Sequence, residues 1–105
     1  MECIFCKIVN KEMDAEIVYE DDTYLAFNDI SPKMNTHILI IPKKHIERFH
    51  TAETDEDRNL VKWLFDVAWY LVDQKNLGGC NLTINSGSDH GQEVYHIHLH
   101  LMSRD

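Results

Sequence analysis

The chain has 105 residues, enough for one domain over residues 1–105 and not for a second core. An apolar share of 44% and a charged share of 27% are ordinary for a globular protein, and no apolar run approaches membrane-spanning length, so no membrane partner is expected. Eighteen acidic against ten basic residues give a net charge of −8, which argues against an extended nucleic-acid surface, since such surfaces depend on many Lys and Arg contacts to phosphates.

The N-terminus lacks the basic-then-apolar layout of a signal peptide, so a cytoplasmic location is expected. Three cysteines in such a chain do not read as a disulfide framework. Cys3-x-x-Cys6 reads as a metal or redox pair and Cys80 as a small core residue. Two β-prone runs, Glu16–Glu20 and Thr23–Ile30, flank the polar turn Asp21-Asp22 and predict a hairpin, broken by Ser31-Pro32. A third strand, Thr36–Ile41, is nearly all apolar and should be central, covered on both faces.

One long helix is expected from Asp55 to about Gln74, with Thr54 as N-cap and Asp55, Glu56 and Asp57 at the positive end of its dipole. Leu60, Trp63, Leu64, Val67 and Leu71 form its core stripe. Val61, Phe65, Trp69 and Val72 widen that stripe beyond what one sheet can cover, which predicts a second burial partner, most simply a symmetric homodimer. Gly78-Gly79 should stop the helix. A fourth strand over Cys80–Asn85, a polar loop over Ser86–Gln92 and a fifth strand over Val94–Met102 complete an α+β domain on an antiparallel sheet.

The strongest chemical signal is Tyr95-His96-Ile97-His98-Leu99-His100-Leu101. On an extended segment His96, His98 and His100 share one face, while Ile97, Leu99 and Leu101 point to the core. Three imidazoles in a row on one face are a costly polar stripe unless they do chemistry, as nucleophile, acid/base or metal ligand. The preceding loop carries Gly87 and Gly91, which let backbone amides approach an anion. His50 and His90 read as surface residues, and Lys43, Lys44 and Arg48 as a solvated face.

His-apolar-His-apolar-His followed by Leu101 and Met102 resembles the signature of the histidine triad (HIT) family. Cys3-Ile4-Phe5-Cys6-Lys7-Ile8, Phe27-Asn28-Asp29-Ile30-Ser31-Pro32, Thr36-His37, Ile41-Pro42-Lys43-Lys44-His45-Ile46 and Gly91-Gln92 match in the same order. The likeness is to the nucleotide-binding, Hint-like branch. It implies a five-stranded antiparallel sheet with one long helix and a short N-terminal helix, the sheet extended across a homodimer. It also implies a purine nucleotide substrate, with adenosine phosphoramidates or aminoacyl adenylates (the products of aminoacyl-tRNA synthetases) as the substrate class.

By that resemblance His98 attacks the α-phosphorus to form a nucleotidyl-histidine, and water then releases the nucleoside monophosphate. His100, with His37 behind it, and His96 support the phosphate and tune the imidazoles. Asp29 takes the ribose hydroxyls beside Asn28. Phe27, Ile30, Ile4, Phe5 and Ile8 line the base pocket, and Asn85 and Gln92 donate to phosphate oxygens. The bland readings are core packing for Phe27, Ile30 and Ile8 and turn-capping for Asp29. Glu93 stands where phosphoramidase members carry a serine, and Asn28 where a histidine is common, which leaves the leaving group open. Zinc-bearing relatives complete a Cys₂His₂ structural site with residues that here are Cys3, Cys6, His45 and His96. The competing readings are a diadenosine polyphosphate hydrolase, a zinc-dependent hydrolase using the histidine cluster, and a nucleotide-binding adaptor without catalysis.

Overall fold

The computed structural model describes residues 3–105. Its elements in chain order are α1 (Ile4–Val9), β1 (Ile17–Glu20), β2 (Tyr24–Asn28), β3 (Thr36–Pro42), α2 (Asp55–Lys62), α3 (Leu64–Lys75), β4 (Asn81–Thr83) and β5 (Leu99–Ser103), with a 3₁₀ turn at Ser88–His90. The strands form one antiparallel sheet in the order β1-β2-β3-β5-β4, the five-stranded α+β architecture expected. Among the described residues no helix is long and apolar enough to cross a membrane.

The sheet buries both faces, and alternation along the strands sorts the residues between them. Ile38 and Ile40 of β3 join Ile97, Leu99 and Leu101 beneath α2 and α3, where Val61, Leu64, Val67, Ala68 and Leu71 complete the larger core. Leu39 and Ile41 face the other way, with Leu25 and Phe27, and are covered by Phe5 and Ile8 of α1. Strand β3 therefore pairs on both edges and packs on both faces, which accounts for its near-continuous apolar run. The β1–β2 turn is held by Asp21, whose Oδ1 accepts from the amides of Thr23 (2.7 Å) and Tyr24 (2.6 Å).

Several boundaries differ from expectation. The single helix is two, because the hydrogen-bond spacing tightens at Trp63: its amide reaches Asn59 (3.1 Å), but its carbonyl accepts from Asp66, only three residues on. Thr54 caps α2 as expected, accepting from the Asp57 amide at 3.1 Å. The stop is Asn76 in the left-handed conformation (φ 53°), ahead of Gly78-Gly79, since Asn tolerates that region and its amide closes on the last carbonyls. Strand β4 is shorter than expected, and Cys80 beside it is exposed, since it sits on the outer edge of the sheet and not in the core.

The last strand begins at Leu99 and not at Val94. Its ladder partner β3 ends at Pro42, which has no amide to donate, and the Ile97 amide turns instead to the Ile46 carbonyl at 2.7 Å. His96 and His98 thus precede the strand, yet the alternation persists, with Ile97 and Leu99 in one core and His96 and His98 against Phe5 on the other side.

Candidate active site

A cleft of about 430 Å³ opens on the α1 side of the sheet, and both His98 and His100 line it. Of the residues expected there, Ile4, Phe5, Ile8, Phe27, Asn28, Asp29, Ile30, Asn85 and Glu93 also line it. Phe5 and Ile8 are buried, Ile4 is half open, and Ile30 is 94% exposed on the rim. Phe5 is the hub of the apolar wall. Its ring meets Phe27 edge-on at 5.4 Å and His98 at 5.2 Å and 87°.

The imidazoles are held by main-chain groups, and those groups fix where the protons sit. The His98 Nδ1 lies 2.8 Å from the His96 carbonyl. A carbonyl only accepts, so Nδ1 carries the proton and Nε2 keeps its lone pair, with no protein partner among the described residues. That is the form a nucleophilic imidazole needs. The His96 Nε2 donates in the same way to the Pro42 carbonyl at 2.7 Å, leaving its Nδ1 lone pair aimed the other way. His37 Nδ1 accepts the Lys33 amide at 3.1 Å, and its Nε2 stands 3.0 Å from His100 Nδ1. The remaining nitrogen of His100, Nε2, is buried with no partner. An orphaned buried donor costs about 1–3 kcal/mol until a ligand accepts from it.

Asp29 does two things at once. Its Oδ1 accepts the Ser31 amide at 2.8 Å, the turn-capping role, and its Oδ2 lies 3.4 Å from His37 Nε2. Asn28, on the cleft wall, donates its side-chain amide to the Glu16 carboxylate at 2.8 Å. Gln92, expected as a phosphate donor, has its side chain committed elsewhere. It is buried, its Nε2 donates to the carbonyls of Glu47 (2.6 Å) and Val94 (3.0 Å), and its Oε1 accepts the Gly87 amide at 2.8 Å. With its own amide reaching the Gly87 carbonyl, Gln92 clamps the 87–92 loop shut. The loop turns through positive φ at Gly87 (96°) and Gly91 (90°), a region that side chains rarely adopt. Met13, Asp14, Ser31, Lys33 and Leu39 also line the cleft. No periodicity or motif marks Met13, Asp14 and Lys33, which reach it from turns, while Leu39 reaches it from the α1 face of β3.

Cys3, Cys6, His45 and His96 converge at the N-terminus of α1, with their ligand atoms all within 4.8 Å of one another. Cys6 Sγ lies 3.3 Å from His45 Nδ1 and 3.5 Å from His96 Nδ1, Cys3 Sγ 3.4 Å from His96 Nδ1, and the two Nδ1 atoms are 3.3 Å apart. Tetrahedral zinc at the usual bond lengths needs S···N edges of roughly 3.5 Å and N···N edges of roughly 3.4 Å. The residues therefore fit the ion, and the Nε2–H of His96 on the Pro42 carbonyl is the outer hydrogen bond that orients a ligating imidazole. Without a cation, burial and the neighbouring Cys3 push the Cys6 thiol up to about 11.

A second grouping, Asp29, His37 and His100, is as tight but does not suit a metal, because the Lys33 amide obliges His37 Nε2 to carry its proton. Neither grouping joins the three imidazoles His96, His98 and His100.

The HIT domain family profile matches residues 10–105. The chain is 41% identical over 103 residues to the purine nucleoside phosphoramidase of Escherichia coli K12, covering 96% of this chain and 86% of that one. It superposes on the crystal structure of a HIT family hydrolase from Legionella pneumophila with a TM-score of 0.92 and 44% identity, over 99% of this chain and 94% of that one. A zinc-bound histidine triad family protein from Mycobacterium smegmatis gives a TM-score of 0.87 at 32% identity, over the whole of this chain and 76% of that one.

Burial holds His96 and His100 down to about 4, their histidine neighbours adding to it, and lowers His37 and His98 as well. In the unfolded chain the same groups titrate near 6.5. Between those limits the unfolded state binds more protons, so stability falls as pH is lowered. The melting temperature is expected to be flat from pH 8 to 7 and to drop steadily from about 6.5 towards 4. Thermal unfolding across that range checks it, and a flat profile down to pH 5 would contradict the burial of neutral imidazoles.

Proposed function

The chain belongs to the HIT domain family, and on that premise we propose that this HIT-type hydrolase releases a nucleoside monophosphate, AMP above all, from a small leaving group through a nucleotidyl intermediate on His98. The observation that carries the reading is the free Nε2 lone pair of His98, set by the hydrogen bond of its Nδ1–H to the His96 carbonyl. Attack on the α-phosphorus turns the ring cationic, and that carbonyl, already facing Nδ1–H, stabilises the charge as it develops. The leaving group departs with the electron pair of its bond to phosphorus. Water then breaks the N–P bond and restores the neutral imidazole.

In this reading the base lies along the apolar wall of Phe5, Ile8 and Phe27, with Ile4 and Ile30 at the rim, and Asp29 receives the ribose hydroxyls. Asn85, whose amide is 3.6 Å from the place a Cβ on Gly91 would occupy, is the loop side chain left to serve the phosphate, since Gln92 is spent on holding the loop. Glu93 lines the same cleft. Purine phosphoramidates and aminoacyl adenylates are the substrate class this reading favours, the former by analogy with the E. coli phosphoramidase.

Cys3, Cys6, His45 and His96 would hold one zinc ion, which when bound supplies a structural cross-link and keeps both cysteines as thiolates. A cytoplasmic setting, where thiols stay reduced, suits it. The exposed apolar side chains Phe65 (38%), Trp69 (67%) and Leu82 (43%) fit a homodimer in which β4, an edge strand, continues the sheet into a second copy.

Replacing His98 with Asn should lower turnover of an adenosine phosphoramidate by a factor of roughly 10⁴ or more, and rapid quenching of the wild type should trap the nucleotide on that residue alone. Turnover near wild type, or an adduct elsewhere, would sink the assignment. Chelation should lower the melting temperature and release about one zinc per chain, with activity retained below the new transition. Complete loss of activity in a chain still folded would favour a catalytic metal. Sedimentation should give a dimer that Trp69→Glu converts to a monomer, and a monomeric wild type would refute the dimer.

A further inference from the structure

On the helical side of the sheet, the β1–β2 hairpin and the α2–α3 junction frame a groove of about 550 Å³ that shares no residue with the histidine cleft. Its walls include Tyr19, Asp21 and Tyr24 from the hairpin and Trp63, Asp66 and Tyr70 from the helices. The Tyr19 and Tyr70 rings meet edge-on at 5.3 Å and 60°. Trp63 stands at the break between the helices and is 57% exposed; Tyr70 is 48% exposed. Packing does not account for that indole, because Leu64 and Val67 already complete the core beneath it.

The hydrogen bonding of the groove is one-sided. The Tyr19 hydroxyl donates to Asp21 Oδ2 and the Tyr24 hydroxyl to the Leu60 carbonyl, each at 2.5 Å. A phenol has one proton to give, so both oxygens are left as acceptors. Asp21 and Asp66 add two carboxylates, and Asp66 makes no ion pair among the described residues. Among the described residues that line the groove there is no lysine or arginine. The negative charge is felt inside: Tyr24 is pushed up to about 12 by burial and then by Asp21 and Asp66, and Tyr19 to about 12, first by its bond to Asp21. A ligand that carries positive charge and only donates hydrogen bonds matches these walls.

We propose that the groove receives an arginine side chain from a partner protein, its guanidinium stacked on the exposed rings of Trp63 and Tyr70 and paired with Asp66. Guanidinium fits better than ammonium, because it is planar and weakly hydrated and can stack on a ring while its edge donates. The groove is too open to enclose a small molecule, whose site ordinarily buries most of its surface. A side chain needs cover on one flank only, since its own protein supplies the rest. The net charge of −8 draws a basic partner towards the chain. Strands β1 and β4 are opposite edges of the sheet, so the groove stays open in the homodimer proposed through β4.

The probes are the pentapeptide amide Gly-Gly-Arg-Gly-Gly and its lysine and citrulline counterparts, citrulline replacing the guanidinium by a neutral urea. They are titrated into the full-length protein and followed by the indole ¹H–¹⁵N resonances of its two tryptophans, Trp63 and Trp69. The arginine peptide should shift Trp63 and not Trp69, saturating at roughly millimolar concentration, as befits one cation on an exposed ring and carboxylate. The lysine peptide should bind several-fold more weakly and the citrulline peptide not measurably. Asp66→Asn keeps the shape of the side chain and should weaken the arginine peptide roughly fivefold, as should Trp63→Leu. Equal binding of the arginine peptide and either counterpart, unchanged binding in folded Asp66→Asn, or no Trp63 shift at roughly tens of millimolar peptide would each overturn the proposal. Trp63 shifts that follow protein concentration without peptide would give the groove to a second copy of this chain, and overturn it too. None of these readouts involves the histidine cleft, so the outcome is independent of the hydrolase reading.

Discussion

Main-chain groups hold the histidine cluster in place, and everything the site can do follows from which nitrogen each one engages. The Pro42 carbonyl takes the proton side of His96, the His96 carbonyl takes that of His98, and the Lys33 amide takes the lone-pair side of His37. Main-chain donors and acceptors have fixed polarity, so they orient rings that side-chain partners would leave free to switch tautomer. The result is neighbouring imidazoles of one chemical type with three different assignments: a lone pair towards two thiols, a lone pair towards the cleft, and an N–H left without a partner.

His96 joins two parts of the molecule that the sequence keeps far apart. Its Nδ1 faces the cysteines around the start of α1, and its carbonyl holds His98. The Cys-His cluster therefore ties α1 to the segment that carries His98, and the same helix supplies Phe5 to the wall beside it. Packing and electrostatics agree here. The apolar wall lowers the basicity of the rings it touches, which keeps them neutral and available at physiological pH.

The sheet makes this possible by burying both faces with different partners. One face carries α2 and α3 and is a conventional core; the other carries only the short α1, so a cleft remains beside it. A chain that covered the second face with a longer helix would have a thicker core and no room for a nucleotide. The outer flank of α3 is left with exposed aromatic side chains, an arrangement a lone surface helix has little reason to keep.

Residue types and spacing were enough to determine the α+β class, the doubly buried third strand, the Thr54 cap and the shared face of His96, His98 and His100, because each follows from a local period or a short motif; the residues expected along the cleft came from the family resemblance. The break at Trp63 and the Asn76 stop were not legible, since each turns on a local shift of hydrogen-bond spacing or backbone conformation that the apolar period does not record, and the late start of β5 depends on the distant Ile46 carbonyl that takes the Ile97 amide. Gln92 is the clearest case. The family resemblance implied a phosphate contact for it, and only the folded chain brings the carbonyls of Glu47 and Val94 within reach of its amide. The Lys33 amide was invisible for the same reason: every residue but proline has one, and what gives this one a role is the ring that tertiary structure sets 3.1 Å away.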